Sequence, residues 1–504
     1  MSRYYCFFAR VILLSLLSTS ITCFAAPDDA KRLSGNVVQI AVSDIPVSFS
    51  PYLTPRLDEQ YTHLFFDPLF RWRDEQQLEP RLVEKWEQID PGVMRFYLKK
   101  NIKFHSGNDL TSKDVIWTYS QIKQDPQARH FFTAIDNIIA QDTDSFTVYS
   151  HLSETQVLDY LAHFFVLDAG FYSVNIEPQG VEEERLPERK LYLSGTGPYL
   201  VSQYNPYTHL KVIKNSHYWD SNESSLALNF LKIKSPNSRL YALLSSDVDI
   251  SSGMKANMLN SIRFSRSKSA VRIVSPAAMF LTINDTKTAI FKQKEAREAI
   301  NLAINNVTML KRASSKNAII SAAFERSPQA NATGNKPYLP SYRVDSSVRI
   351  FRQLKLPKQL SLLVMIDGRG NSVSMANAIA KTMLGIGIEL KTTTVSNLED
   401  WKKQQFNYDF TLSPWQSSFI DNKNIYDDIC ADSYLSDFIQ YLLMEAKTAG
   451  VVYSREQIFD LAKQDNKIIP LYFQNQIWAG DNNYNLDEIF SPNGSPYWDL
   501  LKRK

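Results

Sequence analysis

The sequence predicts a mixed α/β protein with more than one domain. Its 504 residues exceed what a single hydrophobic core organises. Short apolar runs of strand type alternate along the chain with stretches whose apolar residues recur at helical spacing. Hydrophobic residues make up 44% and charged residues 22%, the balance of an ordinary soluble protein rather than a disordered chain. No internal repeat or low-complexity segment breaks the pattern.

The chain opens with a targeting segment, Met1 to Ala25. Arg3 and Arg10 supply a positive start, Val11 to Leu17 an apolar stretch, and Cys23 and Ala25 the small residues that export cleavage needs. The apolar stretch is far short of the ~20 residues of a membrane span, and Ser20-Ile21-Thr22 is a poor setting for lipidation of Cys23. The expectation is a chain exported, cleaved before Ala26 and released. Loss of Arg3 and Arg10 lowers the 56 basic residues to 54 against 53 acidic ones, a net charge of +1. No basic tract remains to suggest a nucleic-acid partner. Cys6 and Cys23 leave with the segment, so Cys430 is the one mature cysteine and no internal disulfide is expected.

A short strand of the buried type, Val37 to Val42, is followed by the irregular Ile45 to Tyr52, which carries Phe49 and Tyr52. Residues 73–190 read as a self-contained unit. Within it, extended Arg95 to Leu98 leads through a tight turn at Gly107 to a helix with Thr111 as N-cap and Asp114 as first-turn acid. Val115, Tyr119 and Ile122 form its inward face, and Glu182 to Arg185 a solvated loop. Thr208 to Ile213 and Ala227 to Ile233 alternate like strands of the sheet begun at Val37. Met279 to Asn284 is another strand. The helix after it turns Ala296, Ala299, Ile300, Ala303 and Ile304 inward and Lys294, Arg297 and Glu298 outward. Leu360 to Ile366 is a strand, Ala376, Ile379, Ala380 and Met383 mark a helix closed by Gly385, and the next strand starts at Ile386. Ser454-x-x-Gln457 opens a late helix, and Ile468 to Phe473 is a further strand.

Catalytic signatures are missing: there is no H-E-x-x-H, G-x-S-x-G or P-loop, and Gly385-x-Gly387 follows a helix instead of opening one. The seven histidines show no paired ligand spacing and read as surface and core residues, so neither metal nor cofactor is expected. The 25 Tyr, 28 Phe and 8 Trp suit large cores or, alternatively, a large ligand cleft. Two late loops carry the candidate chemistry. In Asp367-Gly368-Arg369-Gly370-Asn371-Ser372 a guanidinium flanked by glycines lies before a helix with Ser372 as expected N-cap. That arrangement suits a carboxylate, held by bidentate hydrogen bonds and the positive helix end; the alternative is a solvated Arg in a loop. The second is Ser413 to Asp421, after the strand Tyr408 to Leu412.

Four ordered stretches carry a family resemblance. Leu78 to Glu87 leading to Phe104-His105-Ser106-Gly107 and Leu110 to Val115 resembles the "P-x-L-A-E-S-W-E … F-H-D-G … L-T-A-x-D-V" signature of the family 5 extracellular solute-binding proteins, the oligopeptide and dipeptide receptors of ABC importers. Gly195 to Tyr199 is similar to its G-T-G-P-Y, and Asn284 with Ala296 to Ile300 to its "N … v-R-x-A-I". Ile468 to Phe473 resembles its "P-I-x-P-L-Y" strand. The resemblance implies a two-lobed periplasmic binding protein fold, type II, with an extra inserted domain. It divides the chain into lobe 1 (33–72, 191–286 and 480–504), the insert (73–190) and lobe 2 (287–479), hinged near 286 and 480. It further implies a monomer in the periplasm that captures a peptide or peptide-like small molecule and docks on an inner-membrane ABC permease. Its implied ligand positions are Phe49 and Tyr52 at the cleft rim, Asn284, Arg369 for a ligand carboxylate, and Trp415, Ser418 and Asp421. Relatives read "G-W-x-x-D-x-x-D-P" at the last of these, and their first Asp pairs with the peptide ammonium. Here that position is Ser418, while Asp421 matches the second Asp. A serine hydroxyl accepts from an ammonium without supplying countercharge, and burying such a cation unpaired costs several kcal/mol. Leu412 to Trp415, Ile429 to Ala431 and Phe490 to Gly494 resemble the Sap-type receptors of a peptide importer implicated in antimicrobial-peptide resistance.

Overall fold

The computed structural model describes residues 37–52, 59–125, 132–174, 193–220, 224, 226–304, 319–320, 342–366, 372–415, 417, 419–432 and 434–504. Chain order begins β1 (Val37–Val42), α1 (Glu59–Phe65), β2 (Phe70–Trp72), β3 (Leu78–Pro80), β4 (Val83–Asp90), β5 (Val93–Leu98), α2 (Ser112–Gln124), β6 (Ile135–Ala140) and β7 (Ser145–Ser150). Then come α3 (Glu154–Leu161), α4 (Ala169–Val174), β8 (Tyr199–Asn205), β9 (His209–Lys214), β10 (Ala227–Lys232), α5 (Pro236–Leu244), β11 (Ile250–Ser251), α6 (Leu259–Phe264) and the long β12 (Lys268–Ile283). The remainder runs α7 (Lys294–Ala303), β13 (Ile319–Ile320), α8 (Val344–Leu354), β14 (Gln359–Met365), α9 (Ser372–Gly385), β15 (Glu389–Val395) and α10 (Leu398–Gln404). It closes with β16 (Phe410–Trp415), α11 (Asn422–Asp432), α12 (Ser436–Thr448), α13 (Arg455–Gln464) and β17 (Ile468–Asp481).

Eleven strands form one sheet in the order β15-β14-β16-β12-β17-β11-β1-β10-β9-β8, with β13 beside β17. β1 pairs parallel with both β10 and β11, which suits its nearly unbroken apolar run. The antiparallel ribbon of β12 and β17 carries the sheet from one half to the other. Lys268 to Val274 face Asp481 to Asn475, on the side where β17 meets β11. Ala278 to Thr282 face Phe473 to Ile468, on the side where β12 meets β16. Between them residues 275–277 stand opposite 474 alone, a wide irregularity that contains Pro276. Pro470 sits at a second slip in the same ribbon. A residue without an N–H is tolerated where the ladder is already interrupted. These prolines, with Lys268 and Arg272, are why the sequence pattern shows only the apolar ends of two strands that prove much longer.

Each half has its own apolar cluster. Val38, Ile40, Phe49, Phe65, Leu228, Phe230 and Trp498 fill one; Met279, Leu281, Ile300, Leu362, Val364, Ile379 and Leu412 fill the other. The unit between β2 and β8 has a separate four-stranded antiparallel sheet, β4-β5-β7-β6. It is self-contained in strands but not in core. Its Phe96, Phe132, Phe146 and Leu161 belong to one continuous cluster with Phe280, Trp415, Phe419 and the inner faces of α11, α12 and α13.

Local signals hold closely. Thr111 and Asp114 form the expected capping box on α2, and Val115, Tyr119 and Ile122 are buried beneath it. Ser454 and Gln457 cap α13 in the same way. Two expectations are corrected. Arg297 points inward and is 4% exposed, because its guanidinium donates to the carbonyls of Phe291, Lys292 and Asp465. Three carbonyl acceptors make a buried charge tolerable there, and apolar spacing does not reveal them. Past α9 the chain turns at Gly387, whose φ is +91°, so β15 begins at Glu389 rather than Ile386.

Candidate functional site

Two polar constructions organise the unit between β2 and β8, and they differ in kind. The first is a brace around Phe65 to Asp67. Gly197 N–H donates to Phe65 O at 3.0 Å, and a Cβ on Gly197 would lie 2.3 Å from Phe65 C and 2.6 Å from Phe66 N. Only glycine permits that approach. His105 N–H donates to Gly195 O at 2.9 Å, and His105 Nε2 contacts Gly197 O at 2.9 Å. The Ser106 and Ser194 hydroxyls and the Asn108 amide all donate to the Asp168 carboxylate. Burial pushes that carboxyl up, but these donors outweigh burial and hold it below its ordinary value. Arg81 spans Glu79, Asp67, Asp220 and Tyr218, while Arg71 pairs with Asp499 at 2.7 Å. Asp499 is likewise driven up by burial and held below the usual range by Arg71 and Arg81. Nearby His63 is pushed down to about 3 by burial, with Glu59 opposing, so it packs as a neutral ring against Phe165 and Tyr497.

The second construction is a seam between α3 and the loop that joins β16 to α11. Gln156, Asp159 and Tyr160 on α3, with His163 just past its end, fall at i, i+3, i+4 and i+7 and share one face. Phe419 presses edge-on to Tyr160, with centroids 4.7 Å apart, and to His163 at 5.2 Å. Asp159, fully buried, accepts from Ile420 N–H, Asp421 N–H, Asn424 Nδ2 and Trp72 Nε1 at 2.8–3.1 Å. Burial pushes its carboxyl up, opposed by His163 and by these donors. Ser417 Oγ donates to Asp428 and accepts from Phe419 N–H, which turns the loop tightly.

The structure brings together only some of the residues singled out from sequence. Trp415 ends β16 at the seam, 7% exposed, its ring 6.4 Å from that of Phe280. Asp421 stands in the same loop and caps α11: its Oδ1 accepts from Lys423 N–H, Asn424 N–H and Gln156 Nε2. Tyr52 adjoins the same apolar cluster and donates from its hydroxyl to Phe165 O at 2.6 Å. Phe49 is instead a core residue, 2% exposed, with edge contacts to Tyr61, Phe65 and Tyr204. Asn284 is a structural tie. Its amide donates to Phe406 O and Tyr408 O, its oxygen accepts from Thr286, and no polar atom is left for a ligand. Arg369 and Ser418 lie outside the described residues, as do the targeting segment and the Asp367 to Asn371 loop. Among the described residues no group of three His, Cys, Asp or Glu side chains is arranged to hold a metal. Asp159 and Phe419 carry no motif; the available signal was the helical spacing of Gln156, Asp159, Tyr160 and His163, and the partner of Asp159, Ile420, lies 261 residues further along the chain.

Comparison with known proteins places this architecture. The model of the bacterial extracellular solute-binding proteins, family 5, middle region, matches residues 77–435. The chain is 21% identical over 475 residues to the periplasmic murein peptide-binding protein MppA of Escherichia coli K12, covering 86% of each chain. It is 21% identical over 438 residues to the probable ABC transporter periplasmic-binding protein SapA of the same organism, covering 78% of this chain and 79% of that one. A dipeptide-binding protein from Pseudoalteromonas sp. SM9913, solved with Met-Leu, superposes with a TM-score of 0.74 at 16% identity, over 93% of this chain and 100% of that chain. The fold is the two-lobed, type II binding-protein fold. With a family match over well more than half its length, the chain belongs to family 5 of the bacterial extracellular solute-binding proteins.

Proposed function

We propose that the protein is the periplasmic binding component of an ABC importer and that it captures a peptide-like ligand between its lobes for delivery to an inner-membrane permease. Family membership across residues 77–435 is the observation that carries this reading. The similarity to MppA, a periplasmic murein peptide-binding protein, and to SapA, a probable ABC transporter periplasmic-binding protein, supports a binding role. The reading includes export by Met1 to Ala25, action as a monomer, and the division into 33–72 with 191–286 and 480–504, an insert at 73–190, and 287–479. The boundaries and hinge expected near 286 and 480 move in this reading to the β12–β17 irregularity at 274–278 and 473–475, where the sheet changes neighbours. Ligand binding would favour closure by its differential affinity for the closed state.

The ligand is held by Arg369 through a carboxylate and by the β16–α11 loop through Trp415 and Ser418. Asp421 is committed through Oδ1 to the α11 cap, which supports a site whose ammonium position lacks a dedicated carboxylate. The protein then binds ordinary free-amine peptides weakly. Calorimetry with trialanine and N-acetyl-trialanine tests this on wild type, Ser418→Asp and Asp421→Asn. Ser418→Asp should bind the free amine more tightly by about 1.5–3 kcal/mol, the worth of a charge-assisted bond, and acetylation should remove the gain. Tight wild-type binding of the free amine alone would overturn the Ser418 reading, and its loss in Asp421→Asn would transfer the role to Asp421. Native mass spectrometry of protein taken from the periplasm tests the wider reading, with a co-purifying peptide-like mass as the expected result.

A further inference from the structure

We infer that Asp159, on the inserted unit, is a positioning residue for the ligand-recognition loop, so that the insert helps to set specificity without itself touching ligand. This rests on the reading that the β16–α11 loop holds the ligand. The argument starts from the chemistry of the contact. A buried carboxylate with no cation in hydrogen-bond contact is costly unless donors surround it. Among the described residues Asp159 has four donors, and three of them, Ile420 N–H, Asp421 N–H and Asn424 Nδ2, come from the loop and the first turn of α11. Each of these four atoms donates, so the contacts favour the ionised carboxylate against the burial that pushes it up, and an amide's NH2 would set a donor against a donor. The anion also faces the positive end of α11, an eleven-residue helix.

The remaining contacts of the same α3 face repeat the pattern. Gln156 O accepts from Asn424 Nδ2 at 3.1 Å, Gln156 Nε2 reaches Asp421 Oδ1, and Phe419 is seated on Tyr160 and His163. Polar and apolar anchors from one helix therefore fix every residue from Phe419 to Asp421, as well as Asn424. The backbone from Phe419 to Asp421, in the loop that follows Trp415, is thereby held in one arrangement. The fourth donor, Trp72 Nε1, belongs to β2 and ties Asp159 to the base of the inserted unit, independently of the loop. This separation of donors provides the control.

The experiment compares the full mature chain as wild type, Asp159→Asn, Asn424→Ala and Trp72→Phe. Amide hydrogen exchange is followed at Ile420 and Asp421, and trialanine affinity by calorimetry. In Asp159→Asn the two amides should exchange faster by about tenfold or more, the worth of one hydrogen bond to a charged group, while β5 and β7 stay protected. Asn424→Ala should speed the same amides by a smaller factor, and it decides the matter should Asp159→Asn not fold. Trp72→Phe should leave them nearly unchanged. Trialanine affinity of the folded protein should change in Asp159→Asn and Asn424→Ala and not in Trp72→Phe. Unchanged exchange in the first two variants, or equal loosening in all of them, overturns the inference. So does loosening with unaltered trialanine affinity. Wild-type binding of trialanine too weak to measure is the outcome that Ser418 leads one to expect, and the exchange results alone then decide whether Asp159 pins the loop.

Discussion

The brace at Phe65 to Asp67 and the loop from Ser413 to Asn424 are built by opposite means. The brace draws together Arg71, Arg81, His105, Ser106, Asp168, Gly195 and Gly197, and its charged groups are paired with polar or charged partners from the fold. The stretches that resemble the family, from Leu78 to Val115 and from Gly195 to Tyr199, converge there. The loop carries fewer recognisable residues, and the positions assigned to ligand contact differ from the family pattern within it. The difference teaches that a strong sequence signature marks where backbone segments must meet closely, whereas the loop proposed for recognition is held from outside by side chains such as Asp159 that no motif announces. If so, damage to the brace lowers stability and spares the affinity of the folded fraction, and damage to the loop does the reverse.

The largest effect should come from splitting the buried pair in the brace. Arg71→Met leaves the Asp499 carboxylate without its partner in a site where both are almost fully buried, which costs about 3–5 kcal/mol. Urea denaturation measures it, and the sign of its pH dependence is fixed. The wild-type Asp499 carboxyl lies below its ordinary value, so its contribution is present above that value and lost as pH falls through the folded one. The gap between wild type and Arg71→Met should therefore narrow on acidification. A gap that widens would mean that Arg71 acts through packing on Tyr497 and not through charge.

Next is Gly197→Ala, whose new methyl meets the Phe65 and Phe66 backbone rather than a movable side chain. A loss of about 1–3 kcal/mol is expected from the forced displacement, read from the denaturation midpoint at constant slope. Trialanine affinity of the folded fraction should not change; a shift in affinity would break the comparison. The smallest effect belongs to the loop. Ser417→Ala removes the bonds to Asp428 and Phe419 N–H and should cost about 1 kcal/mol or less in stability. Its signature is a measurable change in trialanine affinity at nearly unchanged stability, and equal affinity would place the loop's order wholly in α3.

The local elements were legible because each is specified by neighbours in sequence. The Thr111–Asp114 and Ser454–Gln457 caps, the buried face of α2 and the apolar halves of β12 and β17 depend on spacing alone. The ligand positions were less legible. Phe49 and Asn284 are the residue types that line clefts, yet one packs among Tyr61, Phe65 and Tyr204 and the other satisfies backbone carbonyls. Side-chain type states what a residue is able to do; its neighbours decide which of those things it does.

By itself the sequence determined the mixed α/β class, the capped helices, the approximate strands and the family, since periodicity, capping and close-approach glycines are written in short runs of residues. Only the tertiary structure decided that Arg297 turns inward, that β12 and β17 run through both halves, that the inserted unit shares its core with α11, α12 and α13, and that Asp159 grips the loop from Phe419 to Asn424. The physical reason is distance along the chain. A buried charge is set by whichever donors or acceptors the fold delivers to it, and the loop donors to Asp159 and the Asp465 carbonyl that accepts from Arg297 come from segments far apart in sequence, where no local spacing records them.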